Sequence, residues 1–292
     1  MNKKNLEKLI TEALAIEAMD AKENGVLGYI ARALVQATLP HSRIETNEFE
    51  RRNGSFRLTI LANSTVGLPY GSIPRLLLAW ITTEAVQTRK RELVLGDTLS
   101  EFMKELGLIP TGGRWGTITR LRQQMQKLFS AAVSCTYDDG QCWAIRNVQP
   151  VIKASLWWDP KMPNQMNIFE STITLGEEFF NETIANPIPI NMMALKALKR
   201  SPLALDIYCW LTYRMSYLKK PTEIPWPVLQ LQFGANYSMT SEQGVRDFKR
   251  AFLRELKKVN VVYNDFNAEN SMVGLLLKPG KPHIQALNKP VN

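Results

Sequence analysis

The apolar positions of residues 238–259, SMTSEQGVRDFKRAFLRELKKV, fall at Val245, Phe248, Phe252, Leu256 and Val259. Steps of three and four put all five on one side of an α-helix. Thr240 followed by Gln243 has capping-box spacing and predicts a helix over 241–258. Gln243, Arg246, Arg250 and Lys257 lie roughly opposite the stripe, with Lys249, Arg254 and Lys258 beside it. The helix buries one stripe and presents a cationic, hydrogen-bonding face. Such a face suits a groove of duplex DNA when a short helix precedes it and a hairpin follows. A solvated surface helix has the same composition.

The same pattern of apolar runs divides the rest of the chain. Residues 2–23 read as an amphipathic helix and 26–37 as a second apolar helix closed by Pro40. Residues 41–55 are polar and read as loop; Phe56–Leu61 alternates like a strand. A long helix is predicted from Pro74 to about Arg91, then a short strand at Glu92–Leu95. Asp97 or Thr98 caps a short helix that Gly107 stops. A helix over 115–131 follows, with Ile118, Leu121, Met125, Leu128 and Phe129 inside and Thr119, Arg122, Gln123 and Gln126 opposite. Val133–Tyr137 and Cys142–Ile145 then form a hairpin around Asp138–Gln141. Strand character continues to Leu175, a short helix spans 177–184, and Asn186–Ile190 reads as a linker between domains.

The second half repeats the plan. A helix from Pro202 to about Leu218 leads to a short helix at Trp226–Phe233, ended by Gly234. The helix at 241–258 and a hairpin (259–263 and 272–277, turning at 267–270) follow. Ile118, Leu121, Met125 and Phe129 superimpose in register on Val245, Phe248, Phe252 and Leu256. Helix, short helix, basic-faced helix and hairpin is the order of a winged helix. The expectation is an α+β, mainly helical chain: a helical extension (1–24), two tandem winged-helix domains (25–186 and 187–285) and a tail (286–292).

Charge sharpens this picture. The 292 residues carry 36 Lys and Arg against 27 Asp and Glu, a formal net charge of +9. The excess favours a polyanionic partner, of which the phosphate backbone is the usual one. No acid occurs between Glu105 and Asp138, the segment that holds the first basic-faced helix. No apolar run is long enough to span a bilayer, no signal-peptide core opens the chain, and a cytoplasmic, membrane-free protein is expected. Cys135, Cys142 and Cys209 form no CxxC pair, against a disulfide framework or a zinc site.

Residues 67–137 carry a specific resemblance. GLPYGSIPRLLLAWITTEAV, RELVLGDTLSEFMKELGL and PTGGRWGTITRLRQQMQKLFSAAVSCTY resemble the plasmid-encoded RepA replication initiators, as does ARALVQATLPHSR at 31–43. The resemblance implies a bacterial protein that binds repeated origin sequences (iterons), opens the duplex locally, and recruits the host initiator and replicative helicase. It also implies a homodimer that represses its own promoter. By the same resemblance the second domain reads the iteron major groove. The first touches backbone or an adjacent groove and supplies the dimer surface.

The candidate DNA-binding residues follow from the two basic faces. Arg246 and Arg250 are one turn apart and can pair with guanine O6 and N7, while Gln243 can address adenine. Thr240, Ser241 and the free N–H groups at the helix start suit phosphate, with Lys249 and Lys257 as further cations. In the first half the candidates are Thr119, Arg120, Arg122 and Gln123, and Arg114 beside Gly112-Gly113, where a plain tight turn is the alternative. No catalytic residues, cofactor or metal are expected. His41 and His283, the only histidines, lie at opposite ends, and neither a Walker motif nor a paired DxD is present. A repressor of its own promoter without initiator activity is the remaining alternative.

Overall fold

The computed structural model describes residues 27–31, 35, 38–138, 140–166, 169–234, 237–238 and 241–284. The N-terminal helix expected at 2–23, Thr240 and the tail from 285 lie outside them. Among the described residues the chain is α+β, with eight helices and four antiparallel sheets.

One order of elements occurs twice. In the first half it is α1 (Ser72–Thr88), β4 (Glu92–Val94), α2 (Leu99–Glu105), α3 (Thr117–Phe129), β7 (Val151–Ser155) and β8 (Thr172–Leu175). In the second it is α6 (Pro202–Tyr217), β10 (Thr222–Pro225), α7 (Trp226–Phe233), α8 (Glu242–Val262), β11 (Asn267–Asn270) and β12 (Gly274–Lys278). The sheets match as well: β4-β8-β7 and β10-β12-β11, so in each the third strand pairs between the first and second. This shared topology is stronger evidence of a repeat than four apolar positions in register.

The first half carries an insertion. The hairpin at 132–148, expected to be its wing, forms β5 (Ala132–Asp138) and β6 (Trp143–Val148) of a separate sheet, order β2-β3-β5-β6. Its partners are β2 (Glu48–Asn53), within the stretch read as loop, and β3 (Phe56–Leu61). The strand β2 escapes notice because only Phe49 is a buried apolar residue in EFERRN; a two-sided polar strand has no readable alternation.

Three further expectations are corrected. Residues 27–31, read as helix, form β1 (Leu27–Ala31), antiparallel to β9 (Pro187–Asn191), the segment read as linker. Pro-Ile-Pro-Ile has the period of a strand: Ile188 and Ile190 are buried, and among the described residues β9 pairs only with β1. Alternate N–H groups of such an edge strand face outward, where proline is tolerated. Residues 259–262, read as strand from Val-Asn-Val-Val, continue α8, because Val259 and Val262 extend its buried stripe. Packing overrides the β-branched propensity. The following hairpin is therefore shifted: 267–270, read as turn, is the strand β11, and the turn is Ser271–Val273.

The two halves share an interface. Helices α1 and α6 pack on each other, and α7 packs on β2. Thr38 donates to the Gln232 carbonyl at 3.2 Å, and Gln232 Nε2 donates to the Val35 carbonyl at 3.2 Å. The helices α4 (Glu177–Ala185) and α5 (Met192–Ala197) flank β9 in sequence. No described helix is long and apolar enough to cross a membrane.

Candidate nucleic-acid interface

Each basic-faced helix is seated by its apolar stripe and by a glycine. In α8, Phe248 and Phe252 are fully buried, and Phe252 meets the rings of Trp226 at 5.9 Å and Trp210 at 6.3 Å. Ser241, not Thr240, is the N-cap: its side chain accepts the Gly244 N–H at 3.1 Å. A β-carbon on Gly244 would stand 2.1 Å from the Ser238 carbonyl oxygen. Gln230, fully buried on α7, holds that same carbonyl with its Nε2 at 2.9 Å. In α3, Ile118, Leu121, Met125 and Leu128 are buried, and the helix starts at Gly116, where a β-carbon would stand 2.2 Å from the Thr111 carbonyl. Both helices thus begin tight against the turn that precedes them.

The turn before α3 is locked by reciprocal threonines. Thr111 N–H donates to Thr117 Oγ1, and Thr117 N–H donates to Thr111 Oγ1, each at 2.9 Å. Thr119, half-buried, donates to the Gly113 carbonyl at 2.9 Å and so serves the turn. Arg114 is exposed and its guanidinium lies 5.1 Å from the ring centre of Trp115, which is 80% exposed. Composition gave no hint that this tryptophan faces solvent; the signal is its place in an acid-free turn directly before a cationic helix.

The two faces differ in electrostatics. On α3, Arg120, Arg122 and Gln123 are exposed, and their side chains make no hydrogen bond or ion pair among the described residues. On α8 the cations are engaged by acids of the same helix: Arg246 with Glu242 and Arg250 with Asp247, each at 2.7 Å. Gln243 donates to Asp247 at 3.0 Å. All these groups are exposed, so the pairs are worth only a few tenths of a kcal/mol each, roughly, and open readily to a stronger anion. Lys257 is exposed and unpaired among the described residues. Lys249 differs: half-buried, it donates to the Ser271 carbonyl at 2.9 Å and lies 5.0 Å over the Trp226 ring. Its first role is to join the helix to the hairpin.

Among the described residues no three His, Cys, Asp or Glu side chains gather as a metal-holding group, and the three cysteines are free.

Comparison with known proteins decides the family. The family model described as "Plasmid encoded RepA protein" matches residues 68–226, more than half of the chain. The chain belongs to the plasmid-encoded RepA family of replication initiators. Two crystal structures of domains 2 and 3 of RctB are similar to this RepA-family chain in fold. One, of selenomethionine derivatives, has a TM-score of 0.55 at 12% identity, covering 86% of this chain and 96% of that one. The other has a TM-score of 0.51 at 11% identity, covering 84% and 94%. No curated protein matches the sequence.

Proposed function

We propose that this RepA-family chain initiates plasmid replication by binding repeated sequences of its origin as duplex DNA. It is built as two winged-helix units, with α3 and α8 as the groove-facing helices and the hairpins β7–β8 and β11–β12 as wings. The carrying observation is the repeated topology that twice sets a cationic helix, apolar side inward, beside a hairpin of a three-stranded sheet. On this reading Arg246, Arg250 and Gln243 address bases, while Ser241, Lys249 and Lys257 address phosphate. Arg114, Arg120, Arg122, Gln123 and Thr119 line the first contact. Their lack of intrahelical acids suits phosphate, which asks for charge more than for direction. Opening of the duplex and hand-over to the host initiator and replicative helicase complete the role, with a homodimer as the form that represses its promoter.

Footprinting the purified protein on DNA of its own replicon tests the reading. Protection of repeated stretches on the origin is expected; binding no tighter there than on random duplex would end it. A plasmid that carries the origin, and replicates only when the protein is supplied, separates an initiator from a repressor alone.

A further inference from the structure

Arg75, in the first turns of α1, and Asp206, in the second turn of α6, form a two-pronged ion pair across the interface of the halves. Nε meets Oδ1 and Nη2 meets Oδ2, both at 2.7 Å, with the two side chains 5% and 8% exposed. The remaining three guanidinium N–H groups donate to the carbonyls of Pro40 at 3.1 Å, Gly71 at 2.6 Å and Leu39 at 2.7 Å. All five donors of one arginine are therefore used. His41 Nε2 adds a third contact to Asp206 Oδ2 at 2.7 Å.

A buried pair of this kind contributes little net stability, since apolar residues of similar volume do as well or better. What it supplies is direction: a planar fork meets a carboxylate in one geometry, and a slip of one helix past the other strands both charges. The pair also sits on a mechanical path. Helix α3 packs on α1, α1 on α6, and α6 on α8. Arg75–Asp206 is the polar link in that series, between the helix that seats each cationic face.

We infer that the Arg75–Asp206 fork, with His41, is a pin that holds α3 and α8 at one separation and rotation, so that the protein accepts a two-part DNA site of a single spacing. The inference rests on the proposed duplex-binding function and adds to it a determinant of site selection that touches no DNA. The two residues are positioning residues. With the pin intact, the second helix meets its groove at a fixed place once the first is bound. Without it, the units behave as tethered modules that tolerate several spacings with lower affinity for the best one.

The test uses the full chain and a fragment of the replicon that carries its gene. Hydroxyl-radical footprinting locates the protected stretches, and 5 bp are then inserted between the two contacts of one protein. The insertion turns one contact about half a helical turn away from the other. The wild type is expected to lose about 30-fold or more in affinity on the altered site. Arg75→Met with Asp206→Leu removes both charges together and leaves neither stranded. This double variant is expected to bind the natural site about 10-fold more weakly and to lose less than about 3-fold on insertion. Circular dichroism checks folding; if the double variant does not fold, Arg75→Lys, which keeps the charge and loses the fork, is read in its place with the same expectation. Relaxed spacing is the readout that a purely structural role would not move. The inference is overturned if the variant discriminates spacing as sharply as the wild type, or if the wild type binds the origin and ignores the insertion. If the wild type protects no DNA, the proposed function itself fails, a result distinct from either.

Discussion

Lys249 Nζ donates to the main-chain carbonyl of Ser271 at 2.9 Å and ties the third turn of α8 to the tip of the hairpin β11–β12. Trp226 Nε1 reaches the same carbonyl at 3.4 Å, and the Ser271 hydroxyl accepts the N–H groups of Val273 at 3.1 Å and Gly274 at 2.8 Å. Helix, hairpin and the start of α7 thus meet at one peptide. Lys249→Met should lower stability by about 1.5–3 kcal/mol, the scale of a charge-assisted hydrogen bond. Lys257→Ala should leave stability unchanged. Urea unfolding of the two variants side by side checks the contrast.

The exposed cations set the salt response. If each unit neutralises several phosphates, affinity for an origin fragment falls by about three decades or more between 50 and 200 mM salt. Fluorescence anisotropy over that range measures the slope, and a nearly flat plot would remove the phosphate contacts from the argument.

Arg246 and Arg250 hold only exposed partners, Glu242 and Asp247, that they exchange at little cost for a guanine edge. Arg246→Ala or Arg250→Ala should lose on the order of 1–3 kcal/mol on the cognate repeat and little on random duplex. Equal losses on both DNAs would assign these arginines to phosphate alone. Competition binding with the two duplexes distinguishes the cases.

Gly244→Ala would raise the helix propensity of α8 by up to about 1 kcal/mol in open solvent. Here the added methyl meets the Ser238 carbonyl, and the net effect should be a loss of about 2 kcal/mol or more. A lower urea midpoint at unchanged slope is the expected result.

Both histidines resist protonation. Burial pushes His283 down from 6.5 to about 4, against a smaller opposing pull from Asp265. Burial likewise lowers His41 although its bond to Asp206 works the other way. His283 Nδ1 meets the Tyr208 hydroxyl at 2.8 Å and its ring stacks on Tyr263 at 4.8 Å. The unfolded chain takes up these protons first, so their contribution to stability is whole above about pH 6.5 and is lost as pH falls below it, for His283 down to about 4. Asp206, which Arg75 and His41 keep ionised against its burial, adds a further loss that begins as pH falls through the ordinary carboxylate range and is complete only below it. His283→Phe should flatten the pH dependence of stability between 6.5 and 4, as measured by denaturation at fixed pH steps.

What the sequence displayed depended on how far each element obeys one local rule. Helices α2, α6 and α7 announced themselves through Thr98, Pro202 and Gly234 and stand within a residue or two of expectation. The basic faces were legible too, because their cations alternate with a clear apolar stripe. Pairing between distant segments was not: nothing in Leu-Gly-Tyr-Ile-Ala names Pro-Ile-Pro-Ile-Asn as its partner. The first-half pair β7–β8, which matches β11–β12 in the repeat, was hidden by an insertion that offers a better-patterned hairpin first. Arg75 and Asp206 lay unread inside apolar runs, where a single charge is easily taken for a surface position until the second charge is found 131 residues away.

The pairing of β1 with β9 also orders events in time. Residues 27–31 leave the ribosome about 160 residues ahead of 187–191. At synthesis speeds of about 5–20 residues per second, the first strand waits roughly 10–30 s for its mate. During that interval its edge is bare to neighbouring chains. The growing polypeptide is most exposed to misassociation before the second half begins to emerge, and a helper that shields nascent edges would matter most then.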